Sequence, residues 1–153
     1  MTIDPDLLAD VEDVAGKVGV TELSAADAER IARSAQAAFV TAPEATWWWT
    51  SLRAPAISVR YGDEDGVALL LRLLPADTTV LFVVTDDEHA PWPAFEGALR
   101  DVATMLREVR PFEFWIAPRD WSWIVFDTHE NTLVVAGALV PLALALDTPQ
   151  TGG

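Results

Sequence analysis

The chain has no cysteine. Without thiols there are no disulfides, no thiolate nucleophile and no cysteine-ligated zinc, an absence that fits the cytosol. Positive charge is scarce as well. Ten basic residues, nine of them arginine, stand against 24 acidic ones, for a net charge of −14. A field of that sign repels nucleic-acid phosphates and anionic membrane surfaces, and it favours solubility and basic partners. Long hydrophobic runs are also missing. The longest, residues 133–146, is broken by Pro141 and falls short of the about 18 residues a membrane-spanning helix needs. The opening Met1-Thr2-Ile3-Asp4-Pro5-Asp6 is acidic, unlike the positively charged start of a secretory signal. The expectation is a cytoplasmic protein with neither a membrane nor a nucleic-acid partner.

Signatures of catalysis are missing in the same way. The chain has no Gly-x-Ser-x-Gly elbow, no phosphate-cradling glycine loop, no dinucleotide fingerprint and no His-Glu-x-x-His helix. Ser24, Ser34, Ser51, Ser58 and Ser122 have no histidine close by in sequence. The two histidines, His89 beside Asp86-Asp87-Glu88 and His129 in Asp127-x-His129-Glu130, lie in separate loops, and their spacing does not dictate a metal site. No catalytic residue, cofactor or metal is therefore expected, and binding is favoured over catalysis.

What the chain does have is tryptophan: seven in 153 residues, with Trp47-Trp48-Trp49 in a row and Trp115, Trp121 and Trp123 close together. Side chains this large belong either to a core or to a binding face. About half the residues are apolar, enough to give one domain a real core. We expect that domain over residues 1–147, followed by a flexible tail at 148–153.

The periodicity predicts a helix over residues 5–15, with Asp4 as cap, Pro5 at the first position, and Ile3 and Leu8 as a hydrophobic staple. A second helix is predicted over 25–40, capped by Ser24 with Asp27 in the box position. Strands follow at 56–61, 67–74 and 80–85. A long helix is expected over 93–109, with Phe95, Leu99, Val102, Met105, Leu106 and Val109 on one stripe and Glu96–Arg100 as an i,i+4 pair. Three more strands are expected at 112–117, 122–127 and 132–137, and residues 138–147 fit a strand or a short helix. The order α-α-β-β-β-α-β-β-β points to an α+β protein. Its predicted form is a two-layer sandwich with a mostly antiparallel sheet of about six strands and helices on one face.

Two clusters are candidates for binding. Trp47, Trp48 and Trp49 cannot all point one way, since a helical turn fans them through roughly 200°. At least one should reach the surface or a cleft, where Arg53 could stack on it. Alternatively, the three clamp the N-terminal helices onto the sheet. In the second cluster, alternation puts Glu113 with Trp115 on one strand face, and Trp123 and Val125 with Asp127 on the next. If the hairpin register aligns those faces, the two carboxylates form an acidic, tryptophan-lined pocket for a cationic or hydrogen-bonding group. Otherwise they are carboxylates on a wet sheet face. Arg60 and Arg72, on adjacent predicted strands, are expected to pair with carboxylates on the exposed sheet face; the alternative is contact with an anionic ligand.

Trp92, Glu96-Gly97, Glu113-Phe114-Trp115-Ile116, Trp121-Ser122-Trp123, Asp127-x-His129 and Gly137 span about a third of the chain. Their pattern resembles one found in small uncharacterised bacterial proteins of the immunity type. The resemblance implies a cytosolic binder that blocks a partner toxin, and it supplies no catalytic residue. The leading expectation is thus a non-enzymatic, acidic, immunity-type inhibitor of a basic protein. Its binding residues would be Trp48, Trp49, Arg53, Glu113, Trp115, Trp121, Trp123, Asp127 and His129. The alternative is a small-molecule-binding or hydrolytic domain built on the tryptophan-lined acidic pocket. A third option is a homodimer formed through residues 133–146.

Overall fold

A computed structural model describes residues 5–42, 48–53, 55–61, 66–85, 92–128 and 131–147. The predicted tail, both histidines, Trp47, the Asp4 cap and the Ile3 staple lie outside the described residues. The fold is α+β, as expected. One sheet of seven strands carries the order β1-β4-β3-β5-β6-β7-β2, with every neighbouring pair antiparallel.

Helix α1 (Pro5–Val18) buries Leu7, Val11 and Ala15 at four-residue spacing. It runs past the predicted end at Gly16 and stops at Gly19, whose φ of 83° suits a residue without a Cβ. There the Val20 N–H donates to the Ala15 carbonyl at 3.0 Å, closing a Schellman-type end. The two-residue strand β1 (Thr21–Glu22) follows, an element the sequence did not announce. Helix α2 (Ala25–Phe39) starts as expected, with the Ser24 hydroxyl accepting from the Asp27 N–H at 3.1 Å. After a single 3-10 turn at Trp48–Thr50 come β2 (Ala56–Arg60) and α3 (Gly66–Leu73).

Helix α3 corrects the strand predicted at 67–74. Its buried side chains, Val67, Leu69, Leu70 and Leu73, form a helical stripe, while Arg72 is exposed. Arg60 and Arg72 therefore do not sit on adjacent strands. Next come β3 (Thr79–Val84), β4 (Ala94–Ala98) and α4 (Leu99–Glu108). Strand β4 occupies the first third of the predicted helix over 93–109. Phe95 suits either element, because its side chain meets the core both four residues before Leu99 on a helix and opposite Phe82 in a ladder. The helix starts only after Ala98. Glu96, now on a strand, pairs with Arg119 instead of Arg100. Strands β5 (Phe114–Ala117), β6 (Trp123–Asp127) and β7 (Thr132–Gly137) form as predicted, and α5 (Val140–Asp147) settles the open end as a helix.

Both sheet faces are covered, a departure from the predicted two layers. On one face, α1, α3, α4 and α5 pack on Phe82, Phe95, Phe114, Ile116, Val125 and Leu133. On the other, α2 and the Trp48 turn pack on Leu81, Val83, Trp115, Ala117, Ile124 and Phe126. Strands β3, β5 and most of β6 are therefore buried on both sides, which accounts for their unbroken apolar runs. Among the described residues no helix is long and apolar enough to cross a membrane.

Candidate functional site

Most of the tryptophans belong to the core. Trp48 and Trp92 are buried and meet edge to face, with ring centroids 4.8 Å apart. Trp115 is fully buried on the α2 face, beside Trp121 at 6.4 Å and Phe126 at 6.5 Å. Trp49 and Trp121 are half-buried against the same cluster, and Trp123 is buried on the opposite face. The clamp reading of the triplet holds for Trp48. Arg53 is exposed, and its N–H donates to the Phe39 carbonyl at 2.8 Å, tying the segment to the end of α2.

The hairpin register decides the fate of the predicted acidic pocket. Phe114 pairs with Asp127 and Trp115 with Phe126, so Trp115 faces away from Asp127. Trp123, Val125 and Asp127 do share a face, but Trp123 sits at the far end of β6. Glu113 nevertheless reaches the same cavity as Asp127, because it lies just before β5 begins, outside strict strand alternation. The structure thus brings Glu113 and Asp127 together and leaves Trp48, Trp49, Arg53, Trp115, Trp121 and Trp123 elsewhere. The pocket is acidic as predicted but is not tryptophan-lined. His129 lies outside the described residues.

The cavity has a volume of about 650 Å³ and opens between α3, the C-terminal end of α4 and the lower rim of the sheet. Apolar and aromatic walls come from Val67, Leu106, Val109, Phe112 and Phe114. Its polar groups are Tyr61, Asp127, Glu113, Arg107, Thr128 and Asn131. Backbone bonds fix this rim. The Tyr61 N–H donates to the Asn131 carbonyl at 3.2 Å, and the Thr85 N–H donates to the Glu113 carbonyl at 3.0 Å. Thr128 closes the β6–β7 connection by donating from both its N–H and its hydroxyl to the Thr132 carbonyl.

Asp127 is the chemical centre of this site. The Tyr61 hydroxyl donates to its Oδ1 at 2.9 Å. Its Oδ2 lies so close to Gly66 that a Cβ there would come within 2.8 Å of it and within 3.2 Å of the Tyr61 ring. Glycine at the first position of α3 is what lets the carboxyl and the helix end approach. Burial raises the Asp127 pKa from its ordinary value to about 6, with the Glu113 charge adding to the rise and the Tyr61 hydrogen bond opposing it. No lysine or arginine is among the causes of that shift, and Arg107 stands on the same cavity lining. A carboxyl placed this way can anchor a hydrogen-bond donor or a cation, or hold a proton near neutrality.

A smaller groove of about 210 Å³ lies on the α2 face between Arg30, Ser34, Arg119 and Trp121. Its arginines are already engaged, Arg30 by Asp27 and Arg119 by Glu96 through two bonds of 2.6 and 2.9 Å. The Arg119 hydrogen bond holds the Glu96 carboxyl below its usual range. The arginines of this groove are paired, whereas the larger cavity carries two carboxyls, Asp127 and Glu113, beside Arg107. Among the described residues no group of three or more histidine, aspartate or glutamate side chains is arranged to hold a metal.

The sequence reading missed Tyr61, Gly66, Thr128 and Asn131 as pocket residues. Tyr61 carried a signal, being the single tyrosine of the chain and falling by strand alternation on one side with Ile57 and Val59. Gly66 carried none, because its role depends on the strand-to-helix correction. No curated protein and no solved structure matches the chain. A match over residues 5–145 shows that the chain belongs to a family of unknown function, DUF6756.

Proposed function

We propose that this protein is a non-enzymatic binding protein whose ligand site is the cavity between α3, α4 and the sheet, with Asp127 as its polar anchor. One observation carries the reading: a desolvated carboxyl with a raised pKa sits in a cavity of about 650 Å³, within the roughly 300–1,000 Å³ typical of small-ligand sites. An antiparallel sheet buried on both faces and tied at its rim by Tyr61, Thr85 and Thr128 gives that anchor a rigid support. Amide spectra of the 15N-labelled protein, recorded against cationic, neutral and anionic fragments, test the reading. Fragments that bind should shift the amides of Tyr61, Gly66 and Asn131 together. If no fragment of any charge moves them, the cavity is not a ligand site.

A second reading, the immunity-type inhibitor of a basic protein, is supported by the net charge of −14. Charge of this size speeds encounter with a basic partner and makes the complex salt-sensitive. Its anchors would come from exposed groups such as Arg53 and the half-buried Trp49 and Trp121, since Trp48, Trp115 and Trp123 are buried. Affinity capture from the native cell lysate at low and high salt should return one stoichiometric, basic, salt-released protein. A capture that stays empty at low salt argues against it.

A further inference from the structure

We propose that the cavity's ligand is a small amphipathic amine, a protonated nitrogen carried on an aromatic or branched apolar body. The inference rests on the binding role given above and names the chemistry that role would serve.

The walls supply the first argument. Val67, Leu106, Val109, Phe112 and Phe114 bring an apolar, partly aromatic lining to the cavity. A bare metal ion or a linear polyamine would leave that lining without a partner, whereas a ring or branched chain gains from covering it. The rings of Tyr61, Phe112 and Phe114 can also face a cation favourably.

The charges on the lining also favour a cation. Asp127 and Glu113 line the same cavity, and the C-terminal end of α4, with its negative partial charge, forms part of the wall at Leu106 and Val109, where Arg107 in the last turn of the helix partly offsets it. The Tyr61 hydroxyl donates to Oδ1 of Asp127, so Oδ2 still has acceptor capacity for an N–H donor. An anionic ligand would meet two carboxyls against the guanidinium of Arg107 among the described lining residues. A neutral alcohol could donate one hydrogen bond but would not balance the buried charge. An ammonium does both, and the charge-assisted bond is the stronger one.

Size supplies the third. A cavity of about 650 Å³ takes a whole small molecule, whereas one lysine side chain from a protein partner would leave much of it open.

The test is calorimetric titration of the full chain at pH 7.5 with three probes of one shape: 2-phenylethylamine, 2-phenylethanol and 3-phenylpropionate. The amine should bind at least about tenfold more tightly than the alcohol, a difference of about 1.4 kcal/mol. The phenylpropionate should not bind measurably. In the variant Asp127→Asn the amine should lose at least about tenfold in affinity while the alcohol keeps its own, a readout that misfolding would not produce. If amine and alcohol bind equally and Asp127→Asn changes neither, the amine assignment is overturned and the cavity remains a ligand site of another class. If the alcohol or the anion alone occupies it, the result is the same. If none of the three binds, the assignment is overturned, and the fragment spectra then decide whether the binding role falls with it.

Discussion

Replacing Asp127 by asparagine should stabilise the unliganded protein at pH 8, by about 1–3 kcal/mol, and leave its stability nearly unchanged at pH 4. The sign follows from where the proton goes. In the unfolded chain this carboxyl has its ordinary pKa of 3.8; in the fold, burial beside Glu113 raises it to about 6. Below 3.8 both states hold the proton. Between the two values the folded state alone holds it, so its stabilising effect is lost as pH climbs through about 6. Above that, the folded protein carries a buried charge that costs about 3 kcal/mol at the full shift. Asparagine removes the charge, and its side-chain carbonyl can still accept from the Tyr61 hydroxyl. Part of the gain is lost to the amide's own desolvation, which sets the lower figure. Denaturant melts of both proteins across pH 4–8 measure the effect. A residue that weakens its own fold at neutral pH is characteristic of a functional site. Equal stabilities at pH 8 would mean that Asp127 is an ordinary, compensated side chain.

Trp115→Ala should cost about 3–5 kcal/mol, the usual range for removing a buried aromatic, and should abolish folding if the native margin is small. Trp115 is fully buried between Trp121 and Phe126 on the α2 face. Its indole N–H has no acceptor among the described residues. Trp115→Phe removes that unsatisfied donor along with some volume, so its cost should be much smaller, about 1 kcal/mol. Thermal melts of the two variants distinguish core packing from an interface role. A binding hot spot would instead melt like the wild type and fail only in partner binding.

These two residues also show how far sequence reasoning reached. Alternation placed Trp123, Val125 and Asp127 on one face, and the structure agrees. It could not place Trp115 relative to Asp127, because a one-residue change of hairpin register exchanges the two faces. The acidic half of the pocket was legible from Glu113 and Asp127. Its aromatic half was assigned to tryptophans because they stood out, while Tyr61, Phe112 and Phe114 build it. The missing wall followed from α3. Residues 67–74 have a single β-branched member, Val67, among leucines, an alanine and an arginine. That composition favours a helix, although a short apolar run alone reads equally well as a strand. Once α3 is helical, Gly66 and Val67 fall at the cavity and the leucine stripe turns to the sheet. Strand β4 was hidden for a related reason: the apolar spacing of Phe95 and Leu99 continues the stripe of α4, and only pairing with β3 separates them.

The most direct test of the account is an NMR titration of the Asp127 side-chain carboxyl in the 13C-labelled protein, with and without saturating 2-phenylethylamine. The account predicts a midpoint near 6 in the free protein and a fall of at least about one unit with the amine bound. By linkage, a ligand that prefers the ionised carboxyl must lower its pKa. A midpoint near 3.8, unmoved by the amine, would contradict both the buried anchor and the cation it is proposed to hold.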